Sequence, residues 1–120
     1  MTLLATALVA LLLVASSCSG APDQTTDDLR PYVVTAIDYH FHDAHPSLPI
    51  PLGRAVQFSN QGRNRHNVTI EGTGYDRTFG PGRRITVDPI GSLLETPGRY
   101  PFFCKLHADR AMSGVLILVE

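Results

Sequence analysis

Glycine and proline occur throughout this 120-residue chain beyond its first 17 positions, and they limit the folds that it can adopt. All ten Gly and all nine Pro lie after residue 17. Proline removes a backbone donor and glycine weakens a helix interior, so this distribution disfavours a bundle of long helices. No segment repeats apolar residues at helical spacing over the length of a helix. The chain is also too short for a multidomain enzyme.

Short segments rich in β-branched and aromatic residues follow residue 30 at regular intervals, with turn residues between them. They predict an all-β fold, a β-sandwich or barrel that forms a single domain. Pro101 lies within one predicted strand and cannot donate to a ladder, so we expect a sheet edge or a bulge on that side. The predicted strands are residues 32–41, 55–58, 66–70, 84–87, 100–103 and 115–119.

The first 17 residues hold 13 apolar residues and no charge, which is typical of a targeting segment. The apolar stretch of residues 3–15 is shorter than the roughly 20 residues that a membrane-spanning helix needs, so it predicts a secretory signal peptide. Small residues precede Cys18 as in a bacterial lipobox, which predicts cleavage before Cys18 and lipidation of its thiol. Ala15 stands where Leu is usual in a lipobox, and the alternative is ordinary cleavage near residues 19–21.

Residues 18–30 are polar and weakly acidic, and they predict a disordered tether to a folded domain of residues 31–120. Together with the leader they predict export. We expect a lipoprotein on the outer face of the cytoplasmic membrane, or a protein of the periplasm or cell envelope. Its membrane contact would be the lipid anchor alone. We expect a monomer that does not bind nucleic acid.

Three soft or borderline metal ligands lie close together near the C-terminus: the thiol of Cys104, the imidazole of His107 and the thioether of Met112. Thiolate and imidazole ligands select copper or zinc over magnesium or calcium. A further imidazole must come from elsewhere in the fold. His66 is the best candidate, because it follows a turn and opens a predicted strand. A single Cys or Met is more often core packing, but the combination in this order, beside Gly114, indicates a metal site.

These residues carry a resemblance to the cupredoxins, the small blue copper proteins related to plastocyanin, pseudoazurin and azurin. The resemblance covers roughly residues 32–120 and implies a Greek-key β-sandwich with one copper ion between loops at one end. It rests on Pro51-Leu52-Gly53, on His66-Asn67-Val68, and on the C-terminal residues Pro97, Gly98, Tyr100, Phe102, Cys104, His107, Met112 and Gly114.

The resemblance also implies a role for each residue of the motif. His66, Cys104 and His107 would bind one type 1 copper ion in a trigonal plane, with Met112 as the weak axial ligand. Asn67 would tie the first ligand loop to the Cys104 loop without binding the metal. One departure is Ala111, which stands before Met112 where Gly is frequent in the family.

The implied function is one-electron transfer between redox partners, with His107 as the point where electrons enter and leave. Four protein ligands leave no position for a substrate, so we expect no enzymatic activity. The alternative is copper storage or delivery at the cell surface without electron transfer. A detached piece of a copper oxidase or nitrite reductase is a weaker alternative.

Arginines between residues 54 and 84 predict a basic ring around the copper end and an acidic redox partner. The alternative is a set of scattered, solvated arginines. The residues concerned are Arg54, Arg63, Arg65, Arg77, Arg83 and Arg84, with Lys105 and Arg110 beside the other ligands.

A second histidine cluster consists of His40, His42 and His45. On a strand His40 and His42 share one face, and the three imidazoles are candidates for a second copper or zinc site. The alternative is a polar outer face. The two cysteines also have an alternative, a disulfide between Cys18 and Cys104, which lipidation of Cys18 would exclude.

Overall fold

The structure is a computed structural model that describes residues 30–43 and 48–120. The predicted signal peptide, most of the predicted tether, the lipidation site Cys18 and the third histidine of the second cluster, His45, lie outside these residues. No helix within the described ranges is long and apolar enough to cross a membrane.

The described part of the chain contains nine strands and two short 3₁₀ segments, joined by turns and loops. The 3₁₀ segments are Ile90–Ser92 and Lys105–Arg110. The strands are β1 Tyr32–Ile37, β2 His40–Asp43, β3 Ile50–Pro51, β4 Val56–Asn60, β5 His66–Ile70, β6 Asp76–Phe79, β7 Arg84–Val87, β8 Gly98–Phe103 and β9 Ser113–Val119.

The strands form two mixed sheets that pack as a sandwich, with strand orders β2-β1-β4-β7 and β3-β9-β8-β5-β6. The chain enters the second sheet at β3 and returns to the first at β4, enters the second again at β5 and returns at β7, and crosses once more before β8. Strand β1 is parallel to β4 and β3 is parallel to β9, while the other pairs are antiparallel. The all-β, Greek-key sandwich predicted for this domain is confirmed.

Aromatic rings join the two sheets. The Phe102 ring on β8 meets Phe41 of β2 and Phe58 of β4 at centroid distances of 4.9 and 5.4 Å. It also lies over Gly114, where a Cβ atom would come within 2.5 Å of the ring. Only glycine therefore lets β9 approach β8 this closely near the start of β9.

Three details of the strand prediction were wrong. The segment 32–41 is two strands, because Asp38 has a φ of 52° and the chain turns at Asp38 and Tyr39. Strands β3 and β6 were not predicted, because β3 has two residues and three of the four residues of β6 are exposed and polar.

Pro101 does not mark a sheet edge, since β8 lies between β9 and β5. The last registered pair between β5 and β8 is Ile70 with Phe102, and the Glu71 N–H donates to the Pro101 carbonyl at 3.1 Å. Pro101 therefore stands opposite the end of β5. Its missing backbone N–H interrupts no further pairing between β5 and β8.

Candidate metal centre

Three predicted ligands meet at one end of the sandwich. One ligand atom from each of His66, Cys104 and His107 lies within 4.8 Å of the other two. His66 is the first residue of β5, Cys104 follows the last residue of β8, and β5 and β8 are antiparallel neighbours. The sheet register therefore brings the start of one strand beside the end of the other.

The loop from Cys104 to Met112 is closed by backbone hydrogen bonds. The Cys104 N–H donates to the Met112 carbonyl at 2.9 Å, and the His107 N–H donates to the Cys104 carbonyl at 3.1 Å. Ala111 has a φ of 52°, the left-handed conformation that favours glycine. This conformation explains why glycine is frequent at this position in the cupredoxins, where the present chain has alanine. Met112 follows it and is 1% exposed. The loop thus brings the buried Met112 back beside Cys104.

The Cys104 sulfur is fully buried and has two polar neighbours. The Asn67 backbone N–H donates to it at 3.3 Å, and Nδ1 of His107 lies at the same distance. Cysteine binds metals as the thiolate, and this sulfur faces the His107 imidazole. Cys104 forms no disulfide among the described residues.

His66 is 0% exposed, and neither of its ring nitrogens has a hydrogen-bond partner in the described structure. Burial lowers the pKa of His66 below its usual 6.5; the nearby His107 lowers it further, and Asp38 opposes these effects. A buried polar group without a partner is expensive, because it has lost its hydrogen bonds to water. A metal ion coordinated by one of the two ring nitrogens removes that cost for the nitrogen that binds it. The His66 side chain is therefore suited to be a metal ligand.

Gly62 allows the chain to pass close to His66. A Cβ atom at this position would lie 3.0 Å from the Asp38 backbone nitrogen and 3.4 Å from Nε2 of His66. The loop between β4 and β5 thus packs against the imidazole and against the turn between β1 and β2. The Asn60 side chain holds this loop by accepting from the Gly62 N–H at 3.0 Å.

Asn67 is buried next to His66 and connects three segments. Its amide nitrogen donates to Oδ1 of Asp76 at 2.6 Å, and its amide oxygen accepts from the Thr69 hydroxyl at 2.7 Å and the Lys105 N–H at 3.3 Å. Lys105 also forms an ion pair with Asp76. These hydrogen bonds, first to Lys105 and then to Asn67, lower the pKa of Asp76. The first ligand strand and the loop after Cys104 are therefore fastened to each other.

The four side chains are arranged like a type 1 copper site. One thiol, two imidazoles and one buried thioether are the donors that such a site uses, and their softness suits copper better than magnesium or calcium. His107 would complete the set from the more exposed side, since it is half-buried while the other three ligands are 0–1% exposed.

Tyr39, which the sequence did not single out, covers His107. The Tyr39 ring meets the His107 ring edge to face at 5.1 Å, and the Arg110 guanidinium lies 4.5 Å from the centre of the Tyr39 ring. Leu106, 47% exposed, lies in the same loop. A tyrosine in the turn between β1 and β2 carries no metal-site signal in the sequence, because its contact with His107 depends on the tertiary fold.

The second histidine cluster is separate from this centre. His40 and His42 are exposed on β2, and their rings lie 5.9 Å apart. Of the predicted basic ring, Arg63 and Arg65 are exposed in the loop before His66. Arg54 lies over the ring of Tyr32, at the opposite end of β1 from the turn at Tyr39, and so does not surround the metal centre.

No protein-family model matches the sequence. Solved structures do resemble the fold. A reduced amicyanin variant is 17% identical with a TM-score of 0.57, and the match covers 80% of this chain and 87% of that one. A purple cupredoxin from Nitrosopumilus maritimus is 17% identical with a TM-score of 0.54, covering 73% of this chain and 99% of that one.

A copper-containing nitrite reductase from Thermus scotoductus is 23% identical with a TM-score of 0.56, and the match covers 76% of this chain. The match spans only 23% of the reductase chain. The fold is therefore that of the cupredoxins. Within it, His66, Cys104, His107 and Met112 occupy the arrangement of a type 1 copper site.

Proposed function

We propose that this protein carries single electrons between redox partners by means of one copper ion. The observation that carries the proposal is the buried His66 imidazole, which has no hydrogen-bond partner and faces a buried thiol and a second imidazole. When bound, copper supplies a one-electron Cu(II)/Cu(I) couple at this position.

The surroundings of the ligands suit electron transfer better than catalysis. Cys104 is fixed by the Asn67 backbone donor, and its loop is fixed by the Asn67 side chain and by the hydrogen bond to Met112. Ligands held in this way change position little when the charge of the metal changes. Because His66, Cys104 and Met112 are 0–1% exposed, a substrate has no route to the metal through them.

His107 is the proposed point where electrons enter and leave. It is the half-buried member of a set whose other members are buried. Tyr39 covers part of its ring and Arg110 lies over Tyr39, so the surface offered to a partner includes these two side chains and Leu106. A surface formed by only a few side chains suits a brief encounter rather than a stable complex.

The charge beside the centre supports an acidic redox partner as part of the proposal. Arg63 and Arg65 are exposed before His66, and Arg110 is exposed beside His107. Positive charge around an electron-transfer surface speeds encounter with a negative partner, and added salt weakens the effect. Export and lipidation at Cys18 also belong to the proposal, on the support of the apolar leader.

The proposal is tested by adding Cu(II) to the purified full chain, its Cys104→Ser variant and its Cys18→Ser variant. The parent and Cys18→Ser should become intensely blue, because the colour comes from a thiolate bound to copper, and Cys104→Ser should stay without this colour. A colourless parent would overturn the assignment. A blue protein that exchanges no electrons with any acidic redox protein at low salt would instead favour copper storage or delivery.

A further inference from the structure

The imidazoles of His40 and His42 lie together on the outer face of strand β2, apart from the centre described above. Both residues are exposed, whereas Phe41 between them packs against Phe102 of the other sheet at 4.9 Å. Successive side chains on a strand point to opposite faces. The anchored Phe41 ring therefore fixes both imidazoles on the solvent side.

The spacing of the two rings suits a shared metal ion. Their centroids lie 5.9 Å apart and their planes are inclined by 64°. An imidazole nitrogen binds a divalent metal at about 2.0–2.1 Å, so with a ring radius of about 1.2 Å two ligating rings have centroids about 4.5–6.4 Å apart. The observed separation falls within this range without movement of the backbone.

The strand holds this spacing in place. All four residues of β2 are in register with β1, and His40 and His42 stand opposite Ile37 and Thr35. Neither of these neighbours carries a charge that would repel a cation. Because β2 is an edge strand and both histidines are exposed, water can occupy the remaining positions around a bound ion.

We propose that His40 and His42 form a second metal site that binds aqueous divalent copper at the protein surface. Imidazole suits Zn(II), Ni(II) and Cu(II), and among first-row divalent ions Cu(II) binds such ligands most tightly. The site holds no thiol, so copper bound there gives no blue colour. The proposal is independent of the electron-transfer function, because it uses none of the four ligands of the buried centre.

The test is a titration of the untagged full chain with Cu(II), followed by electron paramagnetic resonance and visible absorption. After the first equivalent has filled the buried centre, the parent should bind a second equivalent that adds a new resonance signal and no blue absorption. The His40→Ala/His42→Ala variant should lose this second equivalent and keep its blue colour.

The matched control is Arg84→Ala/Thr86→Ala, which changes two exposed residues at the same spacing on β7, the opposite edge of the same sheet. It should bind two equivalents, as the parent does. A His40→Ala/His42→Ala variant that still binds the second equivalent, or a parent that binds only one, would overturn the proposal. A parent that never turns blue but loses a copper ion with His40 and His42 would refute the electron carrier and support the surface site.

Discussion

Two pairs of imidazoles in this protein have similar ring geometry and different surroundings. The rings of His66 and His107 lie 5.2 Å apart at 62°, and those of His40 and His42 lie 5.9 Å apart at 64°. The first pair meets a buried thiol, and His66 has no partner for either nitrogen. The second pair is exposed on an edge strand, where water can satisfy every nitrogen.

The difference shows that the surroundings, more than the spacing of the rings, decide what a histidine pair does. In the buried pair the metal-free fold contains a polar group cut off from water, and a bound metal relieves that penalty. In the exposed pair a metal ion must displace water that already satisfies the rings. We therefore expect copper to affect folding strongly at the buried pair and weakly at the exposed pair.

Copper loading should produce the largest effect on stability. When free copper exceeds the dissociation constant of the buried site about a thousandfold, the free energy of unfolding should rise by about 4 kcal/mol. Thermal unfolding of the metal-free and copper-loaded chain measures this rise. His40→Ala/His42→Ala should keep it and His66→Leu should lose it, and the reverse pattern would contradict the comparison.

The sequence could predict the ligands because they are read from local order. Cys104, His107 and Met112 lie within one loop, so their proximity needs no tertiary information. His66 was found because it opens a strand after a turn, and the sheet register then places it beside Cys104. The alternation of β2 likewise predicts that His40 and His42 share a face, as they do.

The parts that the sequence could not predict depend on contacts between distant segments. Tyr39 covers His107 only because the turn between β1 and β2 reaches the ligand loop. Strand β6 is polar and exposed except for its last residue, Phe79, so its pairing with β5 leaves no apolar alternation to detect. Pro101 suggested a sheet edge, but it stands where the neighbouring strand ends, a position that only the register reveals.

Asn67→Ala should produce the next largest effect. The substitution removes three partly buried hydrogen bonds, to Asp76, Thr69 and Lys105, so stability should fall by about 2–3 kcal/mol. Urea unfolding measures the loss, and the visible spectrum of the copper form should shift as the Cys104 loop loosens. Thr69→Val removes a single one of these bonds and should cost less than half as much. Equal losses would show that Asn67 does not fasten the loop.

His66→Leu should stabilise the metal-free protein while it destroys the copper site. Leucine is close to histidine in size and has no polar side-chain atoms. The change therefore removes an unsatisfied buried group that costs the folded state about 1–2 kcal/mol. His42→Leu, at the exposed pair, should change stability by no more than about 0.5 kcal/mol. Urea unfolding in the presence of a chelator compares the two. A less stable His66→Leu protein would mean that the buried imidazole has already found a partner without metal.

The acid sensitivity of the metal-free protein should come in part from His66, and its sign follows from the lowered pKa. Because the folded pKa lies below 6.5, the unfolded chain binds more protons than the folded chain as the pH falls through 6.5. Stability therefore declines on acidification from pH 7, with a slope of at most about 1.4 kcal/mol per pH unit for this one group. Asp76 acts in a different range, since its lowered pKa protects the fold until the pH falls below 3.8.

Unfolding curves between pH 7 and pH 5 isolate the contribution of His66. With chelator present, the parent should lose stability across this range, and His66→Leu should lose less. In the copper-loaded parent the imidazole nitrogen is held by the metal, so the decline should begin at a lower pH. An identical pH dependence in the parent and in His66→Leu would place the acid-sensitive group elsewhere, and would remove the energetic distinction between the buried and the exposed imidazole pairs.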